Sequence, residues 1–242
     1  MKNYINSPIY LNCSSIGEAY NSIIENFSKY REYVSYPTII TITNTENTQL
    51  PQNVDFPFND YYQVFMSNDT WSYWSTYDNS WYISYSRRIF QTRNGCNLWE
   101  KAKEQLVLDC QSRRSIIQTF KNDDDVNDYS PSLLSLQFVI DKGYLNLITC
   151  WRSKEGTVAF PINAINMCYL LKKMYIELLP VYPHLVLGSY TEVNGSMHKL
   201  LGECKMCLND NLKLYSLDRV KFFWSIIDIG KETEYDEQYN QK

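Results

Sequence analysis

A strand–turn–strand unit that leads into an apolar helix is the feature of this sequence that most constrains its fold. Leu134 to Ile140 presents one apolar face, Asp141-Lys142-Gly143 is typical of a hairpin turn, and Tyr144 to Trp151 suits the return strand. Ala164 to Leu179 is apolar around most of its circumference, which indicates a central, largely buried helix. The unit therefore predicts a core that combines a sheet with a helix.

The remaining segments add strands and helices to this core. Ile9 to Cys13 predicts a short strand, and Ser14 or Ser15 suits the cap of a following helix, with Glu18 placed for a capping box. Further predicted elements are a strand over Thr38 to Thr43, a helix over Asn97 to Cys110, a strand over Ser115 to Phe120, and a strand that begins at Leu185 and continues through Ser189 to Leu200. Neither a repeat nor a linker interrupts them, so we predict one α+β domain over residues 1–242, with a flexible charged tail over 231–242.

Charge and cysteine content exclude several classes of function. A net charge of −4 without a clustered basic face argues against a nucleic-acid partner, so any bound phosphate is expected on a small molecule. The first residues lack an apolar signal segment, and no apolar run approaches the roughly 20 residues of a membrane span. Seven scattered cysteines favour reduced thiols and a cytoplasmic location. Cys204 and Cys207 lack two further ligands at suitable spacing, so no metal is predicted.

The segment between the return strand and the apolar helix carries the residues best suited to binding. Arg152 and Ser153 at a strand end can bind a phosphate, and Asn163 can read an amide-like base edge. Taken one at a time, such residues have simpler interpretations. Arginines are usually surface charges, Asn163 at a helix start is a natural cap, and a lone His198 is more often structural than functional.

Residues 152–163 resemble the R-S-x-D-x-x-x-G-x-P-F-N signature of thymidylate synthases and nucleotide hydroxymethylases. Glu155 stands where that family has Asp, Ala159 where it has Gly, and Ile162 where it has Phe. Three further segments follow in the family's order over residues 85–200. They are Tyr85-Ser86-Arg87-Arg88-Ile89 for Y-G-x-x-x, Ser112-Arg113-Arg114 for S-R-R, and Gly195-Ser196-Met197-His198-Lys199-Leu200 for G-D-A-H-I-Y.

The resemblance implies a three-layer thymidylate-synthase-like α+β fold with a mixed twisted sheet. It also implies a homodimer whose sheets pack face to face, with Leu134, Leu136, Phe138 and Ile140 expected on the face away from the helices.

The same resemblance assigns substrate-binding roles. Arg152 and Ser153 hold the nucleotide phosphate of their own subunit, and Arg113 and Arg114 reach the phosphate of the other subunit. Asn163 reads a uracil-like edge, and His198 binds the sugar hydroxyl, to which Leu200 cannot add the family's tyrosine contact.

The largest departure from the family lies at the nucleophile. The family's P-C-H segment aligns with Pro131-Ser132-Leu133, so a serine replaces the cysteine whose thiolate adds to carbon 6 of the pyrimidine. A serine needs an adjacent base, for which Tyr85 and His198 are the first candidates. Ser132, Tyr85 and Glu155 are therefore the candidate catalytic residues.

The cofactor side of the resemblance is also altered. Glu155 keeps a carboxylate at the position where the family has the Asp that faces its folate. The resemblance therefore implies methylenetetrahydrofolate as the cofactor. Residues 232–242 do not resemble the family's short apolar closing tail, so ordinary dUMP methylation is not expected.

Three hypotheses remain open. The chain is a divergent enzyme that transfers a one-carbon group (methyl or hydroxymethyl) to carbon 5 of a pyrimidine nucleotide or related phosphorylated ring. Alternatively, it is a non-catalytic nucleotide-binding homodimer with a regulatory or structural role, or a protein that keeps the fold and has no nucleotide role.

Overall fold

The computed structural model describes residues 3–4, 8–29, 34–49, 85–90, 96–120, 131–157 and 159–199. Predictions for Leu200, for Cys204 and Cys207, and for the tail over 231–242 lie outside the described residues. None of the described helices is long and apolar enough to cross a membrane.

The described residues form eight strands, all in one sheet, and four helices. The elements are β1 (Asn3–Tyr4), β2 (Ile9–Cys13), α1 (Ile16–Ser28), β3 (Val34–Ile42), α2 (Tyr85–Phe90), α3 (Leu98–Leu108), β4 (Ile116–Gln118), β5 (Leu133–Asp141), β6 (Tyr144–Trp151), β7 (Lys154–Glu155), α4 (Ala159–Leu178) and β8 (Val186–His198). The strands form one mixed sheet in the order β1-β3-β8-β6-β5-β4, with β2 also paired to β3 and β7 to β8. Strands β6 and β8 run parallel, while β3–β8, β4–β5 and β5–β6 are antiparallel. The predicted α+β class with a mixed sheet is confirmed.

The first helix begins as its sequence predicts. Ser15 is the N-cap of α1, and its hydroxyl accepts a 3.2 Å hydrogen bond from the amide of Glu18. The carboxylate of Glu18 in turn accepts a 2.7 Å hydrogen bond from the amide of Ser14. Two backbone donors at the helix start are thereby satisfied.

The β5–β6 hairpin is also confirmed. Asp141 pairs with Tyr144 across a two-residue turn, in which Lys142 has φ 49° and Gly143 has φ 84°. Positive φ at both central residues is the geometry that matches the twist of the flanking strands. The turn fixes the register that brings the start of β5 beside the end of β6.

The prediction of which residues of β5 face away from the helices is wrong. Leu136 and Phe138 are fully buried, and Phe138 packs edge-on against Trp99 of α3, with ring centroids 5.5 Å apart. The partly exposed face instead carries Gln137 and Val139. Both alternations of β5 include large apolar residues, so the pattern alone could not choose the buried side.

Helix α4 starts at Ala159, five residues before the predicted Ala164. The segment includes Pro161, which a first helical turn tolerates because its missing amide has no partner there. Asn163 therefore lies inside the helix, and the interpretation of Asn163 as a cap is wrong.

Candidate functional site

Ser132 sits in a backbone turn that is held from both sides. The hydroxyl of Tyr85 accepts hydrogen bonds of 3.2 Å from the amides of both Ser132 and Leu133. On the other side, the Arg152 amide donates to the Ser132 carbonyl at 2.8 Å, and Arg152 Nε donates to the Pro131 carbonyl at 2.9 Å. Three segments of the chain thus meet at Ser132, the predicted nucleophile position.

The environment of Tyr85 limits its use as a base. Burial raises the pKa of its hydroxyl, although the backbone amides of Leu133 and Ser132 and the nearby charge of Arg152 oppose the rise. A phenol with a raised pKa keeps its proton near neutral pH. Tyr85 is placed to orient the Ser132 turn and is poorly suited to accept a proton from Ser132.

Ser153 and His198 are brought together by the pairing of β7 with β8. Glu155 pairs with His198, and the Ser153 hydroxyl lies 3.4 Å from His198 Nδ1. The serine of the candidate phosphate site and the histidine of the candidate sugar site are therefore neighbours.

Glu155 caps helix α4. One carboxylate oxygen accepts a 2.6 Å hydrogen bond from the Thr157 amide and also contacts the Thr157 hydroxyl. The other oxygen accepts a 2.9 Å hydrogen bond from the amide of Ala159. A carboxylate at a helix start is stabilised by the free amides and by the helix dipole. This structural role accounts for an acidic residue at this position.

Arg113 and Arg114 are exposed and precede the edge strand β4. The carbonyl of Arg113 accepts a 3.0 Å hydrogen bond from Gln137 Nε2. Gln137 is five residues along β5 from Ser132, which corresponds to roughly 17 Å of strand. The two arginines thus lie well along the strand from the Ser132 turn of their own chain.

Two asparagines follow each other on helix α4. Asn163 is partly exposed in the second turn of the helix. Asn166, one turn further, is fully buried, and neither its amide nitrogen nor its amide oxygen hydrogen bonds to another described residue. Spacing of three residues places both on the same side of the helix. Asn166 was not predicted as a site residue, although a polar residue in so apolar a helix was a visible signal.

A buried ion pair next to the site was also missed. Lys154 Nζ lies 3.6 Å from Glu192 Oε2, and the two side chains are 1% and 0% exposed. Burial lowers the pKa of Lys154 to about 8, and the charge of Glu192 opposes this shift. The pair could be found only once β7 was known to lie beside β8.

The described part of the chain holds no group of three His, Cys, Asp or Glu side chains placed to bind a metal ion.

Comparisons with known proteins support the fold alone. No protein-family model matches the chain, and no curated protein matches it in sequence. Among solved structures, the chain is similar to the thymidylate synthase from T4 phage, with a TM-score of 0.58 and 13% sequence identity. The similarity covers 79% of this chain and 78% of that chain. The predicted thymidylate-synthase-like fold is thereby confirmed.

Proposed function

We propose that this chain binds a pyrimidine nucleotide of the dUMP type, or a related phosphorylated ring, at the end of β6. The observation that carries the proposal is the convergence of Tyr85, Ser132 and Arg152 through four hydrogen bonds, with Ser153 and His198 in contact beside them. These contacts between residues of separate elements support a shared site at that end of the sheet.

The phosphate is the group that the site is best suited to bind. Arg152 is exposed and Ser153 partly exposed, directly after strand β6. A guanidinium offers paired donors to phosphate oxygens, and a serine hydroxyl adds a further donor. Asn163 and His198 would then contact the base and the sugar.

A second copy of the chain would complete the phosphate site. Arg113 and Arg114 lie too far along β5 to serve the Ser132 turn of their own chain, yet they are exposed. The partly exposed sheet face, with Val139, Ile148 and Val193, is the surface that we propose for a homodimer. Packing of two such faces would bury their apolar residues.

The geometry favours a chain that binds the nucleotide without catalysing the family's reaction. Addition to carbon 6 requires an activated nucleophile, and Tyr85, whose hydroxyl contacts the Ser132 turn, keeps its proton because its pKa is raised. One-carbon transfer to carbon 5 remains the second candidate, since Ser132 holds the nucleophile position.

Methylenetetrahydrofolate fits this site poorly. Glu155 is the residue that the resemblance assigns to folate, and both of its oxygens accept hydrogen bonds from the start of α4. We therefore propose no step that depends on a folate.

Isothermal titration calorimetry tests the proposal. We expect dUMP to bind, inorganic phosphate to compete with it, and deoxyuridine, which lacks the phosphate, to bind more weakly. Equal affinity for dUMP and deoxyuridine would remove the phosphate site from the proposal. A chain that binds neither would leave only the fold.

A further inference from the structure

Five buried side chains form a closed set of contacts beneath the Arg152–Ser153 segment. The set, called here the Trp151 cluster, consists of Thr149, Trp151, Lys154, Tyr190 and Glu192. Trp151 Nε1 lies 2.8 Å from Thr149 Oγ1, which lies 3.1 Å from the Tyr190 hydroxyl. That hydroxyl lies 2.7 Å from Glu192 Oε2, and Lys154 Nζ closes the set, 3.6 Å from the same oxygen and 2.9 Å from the centroid of the Trp151 ring.

The hydrogen bonds of the cluster can run in only one direction. An ionised carboxylate only accepts, so Tyr190 donates to Glu192 and must accept from Thr149. Thr149 in turn accepts from the indole of Trp151, which can only donate. The other oxygen of Glu192 accepts a 2.8 Å hydrogen bond from Asn194. The order of donors and acceptors allows one arrangement of these side chains.

Stability alone is a weak explanation for this cluster. Removing two opposite charges from water is costly, whereas burying apolar residues of similar size is favourable. The attraction between the two charges often fails to offset the cost of removing them from water. The Lys154 ammonium lacks a hydrogen bond shorter than 3.5 Å to the described residues. A buried pair of this kind is better explained by the geometry it imposes on its neighbours.

The side chain that the cluster fixes is Trp151. Its ring face contacts Lys154, its N–H donates to Thr149, and it forms a T-shaped contact with Tyr85, with ring centroids 5.7 Å apart at 84°. Tyr85 accepts from the amides of Ser132 and Leu133. An unbroken series of contacts therefore joins Glu192 and Lys154 to the Ser132 turn.

We propose that Lys154 and Glu192 are positioning residues that hold the Ser132 turn through Trp151 and Tyr85. Through this turn they make the nucleotide site respond to pH. The ligand part of this inference rests on the proposed nucleotide-binding function. The positive charge of Lys154 is the part of the cluster that can change with pH. Once it is lost, its contacts with the Trp151 ring and with Glu192 are lost too. The turn is then held less firmly.

Lys154 is the group in the cluster that titrates in the mildly alkaline range. Burial lowers its pKa to about 8, opposed by Glu192 and more weakly by Glu155. The other titratable neighbours are Tyr190 from β8 and Cys168 from α4. Burial raises the pKa of both, so they keep their protons.

Local and global effects of this titration have opposite signs. Lys154 has a lower pKa in the folded chain than in the unfolded one, so between the two values the unfolded chain binds more protons. The contribution of Lys154 to global stability therefore rises with pH, while the contacts that hold the Ser132 turn weaken. A purely structural role would not produce a local loss without a global one.

Amide hydrogen exchange measured without ligand tests the inference. The probes are the protection factors of the Ser132 and Leu133 amides. The control is the amide of Phe138, which lies on strand β5 and donates to the carbonyl of Ser115, just before β4. Between about pH 7 and about pH 9.5, we expect protection of the two probes to fall about tenfold relative to the Phe138 amide. This measurement uses the wild-type protein, so it does not depend on whether any variant folds.

The double variant Lys154→Met/Glu192→Gln removes both charges together and leaves neither one unpaired. Its probes should have low protection that does not change with pH. The positioning role would be overturned if the protection of the wild-type probes relative to Phe138 stayed constant with pH. It would also be overturned if protection in the double variant fell with pH as it does in wild type. Phosphate titrations of wild type and Arg152→Ala separate the two proposals. If the probes respond and phosphate does not bind, the nucleotide site fails and the positioning role stands.

Discussion

The backbone amide of Arg152 donates a 2.8 Å hydrogen bond to the carbonyl of Ser132, across the pairing of β5 with β6. The residue proposed to bind phosphate and the residue at the nucleophile position are thus fixed to each other by main-chain atoms. A side-chain substitution at either position leaves this hydrogen bond available. Each residue can therefore be tested separately.

Arg152→Ala should weaken dUMP binding by about 1.5–3 kcal/mol, which is about 10- to 150-fold in Kd. The variant loses the charged donors to the phosphate and the hydrogen bond from Nε to the Pro131 carbonyl. Lys172→Ala removes an equal charge from an exposed position of α4 and should bind like wild type. Calorimetry that gives equal affinity for Arg152→Ala and wild type would exclude Arg152 from the site.

A shared site predicts complementation between two inactive variants. Arg113→Ala and Arg152→Ala should each bind dUMP poorly as homodimers. After subunits are mixed and exchanged, half of the dimers are mixed, and each of these has one site with both arginines intact. About a quarter of wild-type sites should therefore return. Light scattering that gives a monomer at micromolar concentration, or mixing that restores no sites, would contradict the homodimer.

Wild-type protein should release no tritium from dUMP labelled at carbon 5. Release requires addition at carbon 6 by an activated nucleophile, and Tyr85, whose hydroxyl contacts the Ser132 turn, keeps its proton because burial raises its pKa. In Ser132→Cys, the nearby Arg152 should lower the pKa of the new thiol, measurable by the pH dependence of its alkylation. Tritium release by wild type that Ser132→Ala abolishes would establish Ser132 as catalytic.

Glu177→Gln should destabilise the contact between α3 and α4. Although burial acts to raise the pKa of Glu177, hydrogen bonds from Lys173, Trp99 and Lys103 lower it overall. The loss should be about 1 kcal/mol in the free energy of unfolding, below the full range for charged hydrogen bonds because the side chains are partly exposed.

The Glu177 effect has a defined pH dependence. A lowered folded pKa means that this stabilisation is present above the unfolded pKa of Glu177 and is lost as pH falls through the folded value. Urea denaturation at neutral and acidic pH should therefore show wild type and Glu177→Gln converging in acid. A difference that stays constant into acid would contradict the role of the charge.

Local patterns predicted the elements that local interactions determine. The Ser15 cap depends on residues within one turn, and the hairpin turn at Lys142 and Gly143 depends on two backbone conformations. Both were predicted correctly for that reason. The order of the family-like segments also predicted the fold, because that order can be read from the residues of the sequence without knowing any contact.

Features set by contacts between distant segments were predicted poorly. The buried face of β5 depends on where α3 lies, because Phe138 packs against Trp99. The pairing of Lys154 with Glu192 requires β7 to lie beside β8. Sequence spacing alone carries no information on such a contact.

The parallel pairing of β6 with β8 makes part of the site depend on a long connection in the sequence. Helix α4 lies between these strands in the sequence, so the pairing of Trp151 with Asn194 requires a crossover connection that contains the whole helix. The β5–β6 hairpin closes through local contacts, whereas β8, the last strand of the described chain, brings His198 to Ser153 from a distant part of the sequence. A chain cut within α4 would keep the Ser132–Arg152 hairpin in one fragment and lose the contact between Ser153 and His198.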